Sequence, residues 1–255
     1  MGEALQLVDI ARMSDDELMK MSNKEFVEAM IEKSKLFGTD MFNRDHYRAI
    51  PMSKEERRQA LIRWNQRHAW LEWWLGVTPP ARQIVSLGEE DMPIKILLAQ
   101  QIVDEVKHQR VFSKRVMKLG GDPKLDRYQP GAIEREMYEM TFLEHPLDIA
   151  ASLQCTGEGV LLHYAKPEEN IIYQMLDEDT LEDIANDVAP DEPRHVKNGE
   201  DLYKKYASTP EIRRRVARVQ DRKLETLARH YVEDHAILGF ERIAPIPIIP
   251  KHEVA

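Results

Sequence analysis

The chain has 255 residues, enough for one large domain, and its 42% apolar and 32% charged composition with 11 glycines excludes disordered, collagen-like and membrane-embedded classes. Thirty-six Lys and Arg against 45 Asp and Glu give a formal net charge of −9, which repels phosphate backbones, so no nucleic-acid partner is expected. A single cysteine, Cys155, excludes an intrachain disulfide, Cys-ligated zinc and a cysteine-held iron–sulfur cluster, and points to the reducing cytoplasm.

Helix signals run the length of the chain. The opening MGEALQLVDI lacks a basic and then apolar leader, and no apolar run reaches membrane-spanning length, so neither secretion nor a membrane partner is expected. Ser22 with Glu25 and Ser53 with Glu56 have capping-box spacing. The first pair predicts a helix to about Phe37, and the second a helix through Trp64, Trp70 and Trp74 to about Gly76. A third helix is expected from about Pro93 to Leu119, closed by Gly120-Gly121. Further helices are expected over about 132–144, 147–166 and 177–206, and a last one from Pro210 to about Leu238. The three prolines of APIPIIP, residues 244–250, predict an extended arm lying on this or a neighbouring subunit. The expected organisation is an N-terminal helical extension over 1–50, a helical bundle over 51–240 and the arm over 241–255.

One pattern occurs twice, Asp104-Glu105-Val106-Lys107-His108 and Asp191-Glu192-Pro193-Arg194-His195, offset by 87 residues, and the same offset relates Pro123 to Pro210. On a helix, Glu and His three apart share one face, so each copy can offer a carboxylate and an imidazole to one metal. A repeat should also supply a carboxylate on each preceding helix. Glu72 lies 33 residues before Glu105, and Glu158 lies 34 before Glu192; the 53 residues from Glu105 to Glu158 leave room for a long crossover. The expected fold is therefore all-α, a ferritin-like four-helix bundle with a long crossover between helices 2 and 3 and extra N- and C-terminal helices. Its predicted metal ligands are Glu72, Glu105, His108, Glu158, Glu192 and His195.

Four buried carboxylates need counter-charge, which two divalent cations supply, and carboxylate with imidazole suits iron or manganese. Asp104 and Asp191, each four residues before the His of its own copy, are placed to accept a bond from a ligand imidazole and fix its tautomer. His68, one turn before Glu72, is a further candidate beside the site. Small or apolar residues around the ligands, among them Ala69, Leu75, Gly76, Phe112, Ala151, Cys155, Leu161, Ala165, Ala185 and Val188, would leave a substrate cavity. Trp64, Trp70, Trp73 and Trp74 are expected in packing, and Arg213, Arg214, Arg215 and Arg218 on a solvated face. His46, His145, His163, His230, His235 and His252 have no ligand spacing. Pro190 and Pro193 predict a kink or π-bulge in the fourth ligand helix, and a helix that simply ended there would argue against metal binding.

DEVKH and DEPRH resemble the Asp-Glu-x-Arg-His signature of bacterial multicomponent monooxygenase hydroxylases. Lys95-Ile96-Leu97-Leu98-Ala99, leading into Asp104-Glu105, is similar to the catalytic subunit of the phenylacetyl-CoA and benzoyl-CoA epoxidase group. The resemblance covers roughly residues 60–205. It implies a ferritin-like di-iron oxygenase: two irons (Fe–Fe, or Mn–Fe) on the six ligands, O2 as co-substrate, and a small organic substrate, aromatic or CoA-linked, that is hydroxylated, epoxidised or N-oxygenated. Electrons would come from a separate reductase, since the sequence shows no dinucleotide or flavin fingerprint, and the family habit is a homodimer. The competing expectation is an iron-oxidising or peroxide-reducing protein of the ferritin and rubrerythrin kind.

Overall fold

The computed structural model describes residues 4–162 and 167–252 and is mostly helical. Its helices are α1 (Asp15–Lys20), α2 (Asn23–Met41), α3 (Lys54–Leu71), α4 (Thr78–Ser86), α5 (Met92–Lys118), α6 (Ala132–Glu139), α7 (Pro146–Ser152), α8 (Ile172–Met175), α9 (Glu178–Asp187), α10 (Glu192–Tyr206) and α11 (Pro210–Ile237). Both expected capping boxes open their helices: Ser22 with Glu25 starts α2, and Ser53 with Glu56 starts α3. A third box, Ser14 with Glu17, starts α1. Gly120, at φ +82°, terminates α5 in a left-handed conformation that a side chain would oppose.

Several expectations are corrected. The helix expected through Gly76 changes pitch: α3 runs into a π-helical turn at Glu72–Gly76, followed by the separate α4. The helix expected over 147–166 is α7 with a second π-helical turn at Leu153–Glu158, beyond which Gly159 leads into turns; His163 and Ala165 lie outside the described residues. The span 177–206 holds two helices. α9 stops at Asp187, and α10 begins at Glu192 with Pro193 in its first turn, where a missing N–H costs nothing. The prolines therefore separate two helices and do not bend one. The helix expected to carry the fourth set of ligands starts at Glu192, so Glu192 and His195 sit on consecutive turns of a continuous α10. Two strands too short to show alternation, β1 (Tyr47–Ala49) and β2 (Phe240–Arg242), pair antiparallel with Tyr47 opposite Arg242. The proline arm lies on its own chain, where the Ile248 N–H donates to the Leu5 carbonyl at 2.8 Å and that of Leu7 to the Ile248 carbonyl at 3.2 Å.

α5 packs against α3, α4 and α10; α10 packs against α7 and the Leu153–Glu158 turn; α11 lies across α2, α6 and α7. Two apolar clusters result. One gathers Trp64, Trp70, Phe112, Met137, Leu224 and Leu227, and the other Phe26, Met30, Leu98, Leu147, Leu202 and Tyr203. Each fully buried side chain of this size contributes about 1.5–3 kcal/mol. α5 belongs to both: Leu98 anchors its first half and Phe112 its second, and the buried Gln101, Asp104, Glu105 and His108 lie between. That polar band is held in place by the apolar clusters on either side. Among the described residues no helix is long and apolar enough to cross a membrane.

Candidate metal centre

Four segments aim carboxylates and imidazoles at one point. Glu72 opens the first π-helical turn and Glu158 closes the second; Glu105 and His108 come from mid-α5, and Glu192 and His195 from the start of α10. A π-turn inserts one residue into the helix and rotates the residues after it, so both lone glutamates sit where an α-helix is locally re-aimed. The Val77 N–H donates to the Glu72 carbonyl five residues back, at 3.2 Å. The structure brings all six sequence-predicted ligands together. Nδ1 of His108 lies 3.8 Å from Glu72, 3.6 Å from Glu105 Oε2 and 3.8 Å from Glu192 Oε1. Nδ1 of His195 lies 3.2 Å from Glu105 Oε1, 3.7 Å from Glu158 and 4.0 Å from Glu192 Oε2. Glu105 and Glu192 thus each turn one oxygen toward each imidazole, while Glu72 and Glu158 stand at opposite ends. Glu72, Glu105 and His108 form one group able to hold a cation, and Glu105, Glu158 and His195 another.

The far nitrogens of the imidazoles are tied to aspartates, and the tie is crossed. His108 Nε2 donates to Asp191 and His195 Nε2 to Asp104, both at 3.2 Å, so each aspartate orients the imidazole of the other copy and not its own. Lys107 and Arg194 complete the lattice: Lys107 donates to Asp191 at 2.5 Å, and Arg194 donates to Asp104 at 2.6 Å and to Asp191 at 3.0 Å. Burial alone would raise the Asp191 carboxyl, but bonds from Lys107, His108 and Arg194 hold it down to about 2, an ionised acceptor. A hydrogen on Nε2 leaves the Nδ1 lone pair as the one able to accept a cation.

Whether these residues fit metal ions is decided by the atoms they leave unsatisfied. Among the described residues, His108 Nδ1, His195 Nδ1 and Glu158 Oε2 are buried without a hydrogen-bond partner, the first in one of the two groups and the others in the second. Burial pushes Glu72 up to about 8 and Glu192 up to about 7, and it raises Glu158 well above the usual carboxylate range. Glu105 is the exception: burial acts upward, but His108 and His195 outweigh it and hold the carboxyl low. Burial likewise opposes charge on the imidazoles, and the surrounding glutamates override it, driving His108 up to about 11 and His195 up to about 10. Without a cation these groups gather protons, and two divalent cations would replace them, so the donor set fits divalent metal ions. Gly76 completes the cradle, because a Cβ there would lie 2.7 Å from Glu105 Cδ and collide with its Oε2.

Beside the cluster lies a cavity of about 250 Å³, bounded by Glu72, Glu105, Glu158 and Glu192 on one side and by apolar walls that include Leu75, Phe112, Leu161, Ala185, Val188 and Leu227. Of the expected wall residues, Ala69, Ala151 and Cys155 are buried elsewhere; Cys155 packs against Gly199, and burial raises its thiol. His68 lines the cavity, stacks on Trp64 and donates Nδ1 to the Trp64 carbonyl at 3.0 Å, so it stands in the wall one turn from Glu72. Trp64 Nε1 donates to Asp234 at 2.6 Å; Trp74 packs edge-on against Tyr138 as expected, though it and Trp73 are each 37% exposed.

Other residues differ from their sequence reading. Arg213 is buried and donates to the Ala207 and Met21 carbonyls at 2.8 Å, tying α1 and α2 to α11; Arg214 and Arg215 pair with Asp15 and Asp148. Missed entirely were Gln101, whose Nε2 donates to Glu158 at 2.7 Å, and Lys223 in the cavity wall. Gln101 had a readable signal, one turn before Glu105 on the same face. Compared with known protein families, curated proteins and solved structures, the chain gives no match.

Proposed function

We propose that the chain is an O2-activating di-iron oxidoreductase of monooxygenase type, in which α3, α5, α7 and α10 form a ferritin-like four-helix bundle with a long crossover from the second to the third. The observation that carries this reading is the pair Glu105 and Glu192, each placing one oxygen toward each of two Nδ1 atoms that have no hydrogen-bond partner among the described residues. Glu72 and His108 would hold one iron, Glu158 and His195 the other, and Glu105 and Glu192 would be shared; manganese could occupy one position. The metal pair would supply oxygen activation and the oxidising equivalents for hydroxylation, epoxidation or N-oxygenation. The protein's own part is positional. Asp104 and Asp191 fix the imidazoles, Gln101 holds Glu158, and the apolar walls exclude water from a small organic substrate. Electrons would come from a separate donor.

The test is anaerobic Fe(II) loading followed by O2 addition, with aromatic and aliphatic acids, their CoA thioesters and arylamines as candidate substrates. The account expects about two irons per chain, O2 uptake and an oxygenated product once a reductant is supplied. Uptake of many irons per chain with no organic product would instead establish an iron-storage protein.

A further inference from the structure

Lys223 on α11 is 5% exposed and lines the cavity beside the glutamates. Among the described residues its ammonium makes no hydrogen bond or ion pair. Glu158 attracts it through space without reaching ion-pair distance, and the other charged wall groups are already engaged: Asp234 pairs with Arg67, and His230 accepts from Arg67 at 2.9 Å. A buried ammonium without counter-charge is costly, so natural proteins pair it or reserve it for a ligand. Once two divalent cations neutralise the four glutamates, Lys223 becomes the unbalanced charge of the cavity.

We propose that Lys223 anchors a carboxylate on the substrate, which makes the substrate class an amphipathic organic acid. Its apolar body would lie against Leu153, Leu161, Val188 and Leu227, and the carbon to be oxidised would face Glu72, Glu105 and Glu192. Lys223 is the lysine of a wall whose Asp234 and His230 are already engaged by Arg67, and one ammonium matches a singly charged carboxylate, whereas a phosphate or diphosphate demands several cationic donors. The assignment rests on the metal-centre reading, because bound cations are what leave Lys223 uncompensated.

The test is calorimetric titration of the full chain, zinc-loaded and metal-free, with hexanoate, octanoate, decanoate and 3-phenylpropanoate and with their methyl esters, in wild type and Lys223→Met. The expected result is at least one acid bound about tenfold more tightly than its ester by the zinc-loaded wild type. Lys223→Met should abolish that preference and leave ester binding within about twofold, and without ligand it should melt higher than wild type, since it removes an unpaired buried charge. A lysine serving only packing would lower the melting temperature. Equal binding of acid and ester by wild type, or a preference that survives in Lys223→Met, overturns the assignment. A chain that takes up no zinc yet prefers the acid through Lys223 overturns the metal centre alone, and two bound zincs with no acid preference overturn the Lys223 anchor alone.

Discussion

Gly76→Ala should empty both metal positions while leaving the fold intact. The added Cβ would lie 2.7 Å from Glu105 Cδ and 3.0 Å from its Cγ, where carbon pairs rest at about 3.5–4.0 Å, so the Glu105 side chain must retreat by about 1 Å. Overpacking of this kind costs about 1–3 kcal/mol of stability. The larger effect falls on binding: coordination tolerates displacements of about 0.2 Å, and Glu105 faces both imidazoles. Affinity at both positions should fall by about a hundredfold or more, equivalent to about 2.7 kcal/mol. Gly157→Ala is the control from the other π-helical turn. Its Cβ would meet Ser152 O at 3.4 Å and Lys223 Cε at 3.7 Å, ordinary contact, so metal binding should be unchanged and stability neutral or raised by about 0.4–1 kcal/mol. Chelator competition with elemental analysis reads the binding, and urea unfolding reads the stability. Wild-type affinity in Gly76→Ala, or equal loss in Gly157→Ala, would refute the argument that Gly76 is required by Glu105.

The crossed aspartates predict a crossed phenotype: Asp104→Ala should weaken the position beside His195 by about 10–100-fold and Asp191→Ala the one beside His108, each leaving the other within about threefold in a metal titration. Arg67 is fully buried, pairs with Glu134 at 2.8 Å and Asp234 at 3.3 Å and donates to His230 at 2.9 Å, so Arg67→Met should cost about 3–5 kcal/mol in urea unfolding by leaving two carboxylates without their cation; a loss under about 1 kcal/mol would contradict this. His235 is buried against the rings of Phe42, Tyr47 and Tyr231, and burial, with the nearby Arg242, pushes it down from 6.5 to about 3. Between those values the unfolded chain takes up a proton that the folded chain refuses, so this group removes stability as pH falls, by about 1.4 kcal/mol per unit. In His235→Phe the stability difference between pH 7 and pH 5 should shrink by about 2 kcal/mol, and an unchanged difference would show that His235 does not carry it.

The parts of the molecule readable in advance are those written in local chemistry. The Ser22–Glu25 and Ser53–Glu56 boxes announce α2 and α3 because both partners lie within one turn, and Glu-x-x-His shares a face by helical geometry alone. The duplication at 87 residues then extends that local signal across the chain. The features that escape such reading depend on distant contacts. Nothing in DEVKH or DEPRH shows that Asp104 turns to His195 and Asp191 to His108, because the pairing is made by packing α5 against α10. A kink or π-bulge is expected at the prolines, yet the π-helical turns fall at Glu72 and Glu158; Pro193 is harmless in a first turn, and the choice of an i to i+5 bond is made by the surroundings. Arg213 reads as a solvated charge and Lys223 carries no local signal, and only the packing of α2 and the cavity wall against α11 reveals one as a clasp and the other as a buried cation.

Crystals of the iron-loaded protein, measured at energies above and below the iron absorption edge, test the central claim most directly. The account predicts two anomalous peaks per chain, one against Nδ1 of His108 between Glu72 and Glu105 and the other against Nδ1 of His195 between Glu105 and Glu158, with Glu192 beside both. A single peak, peaks on the Nε2 side of either imidazole, or no iron among these six residues would contradict it.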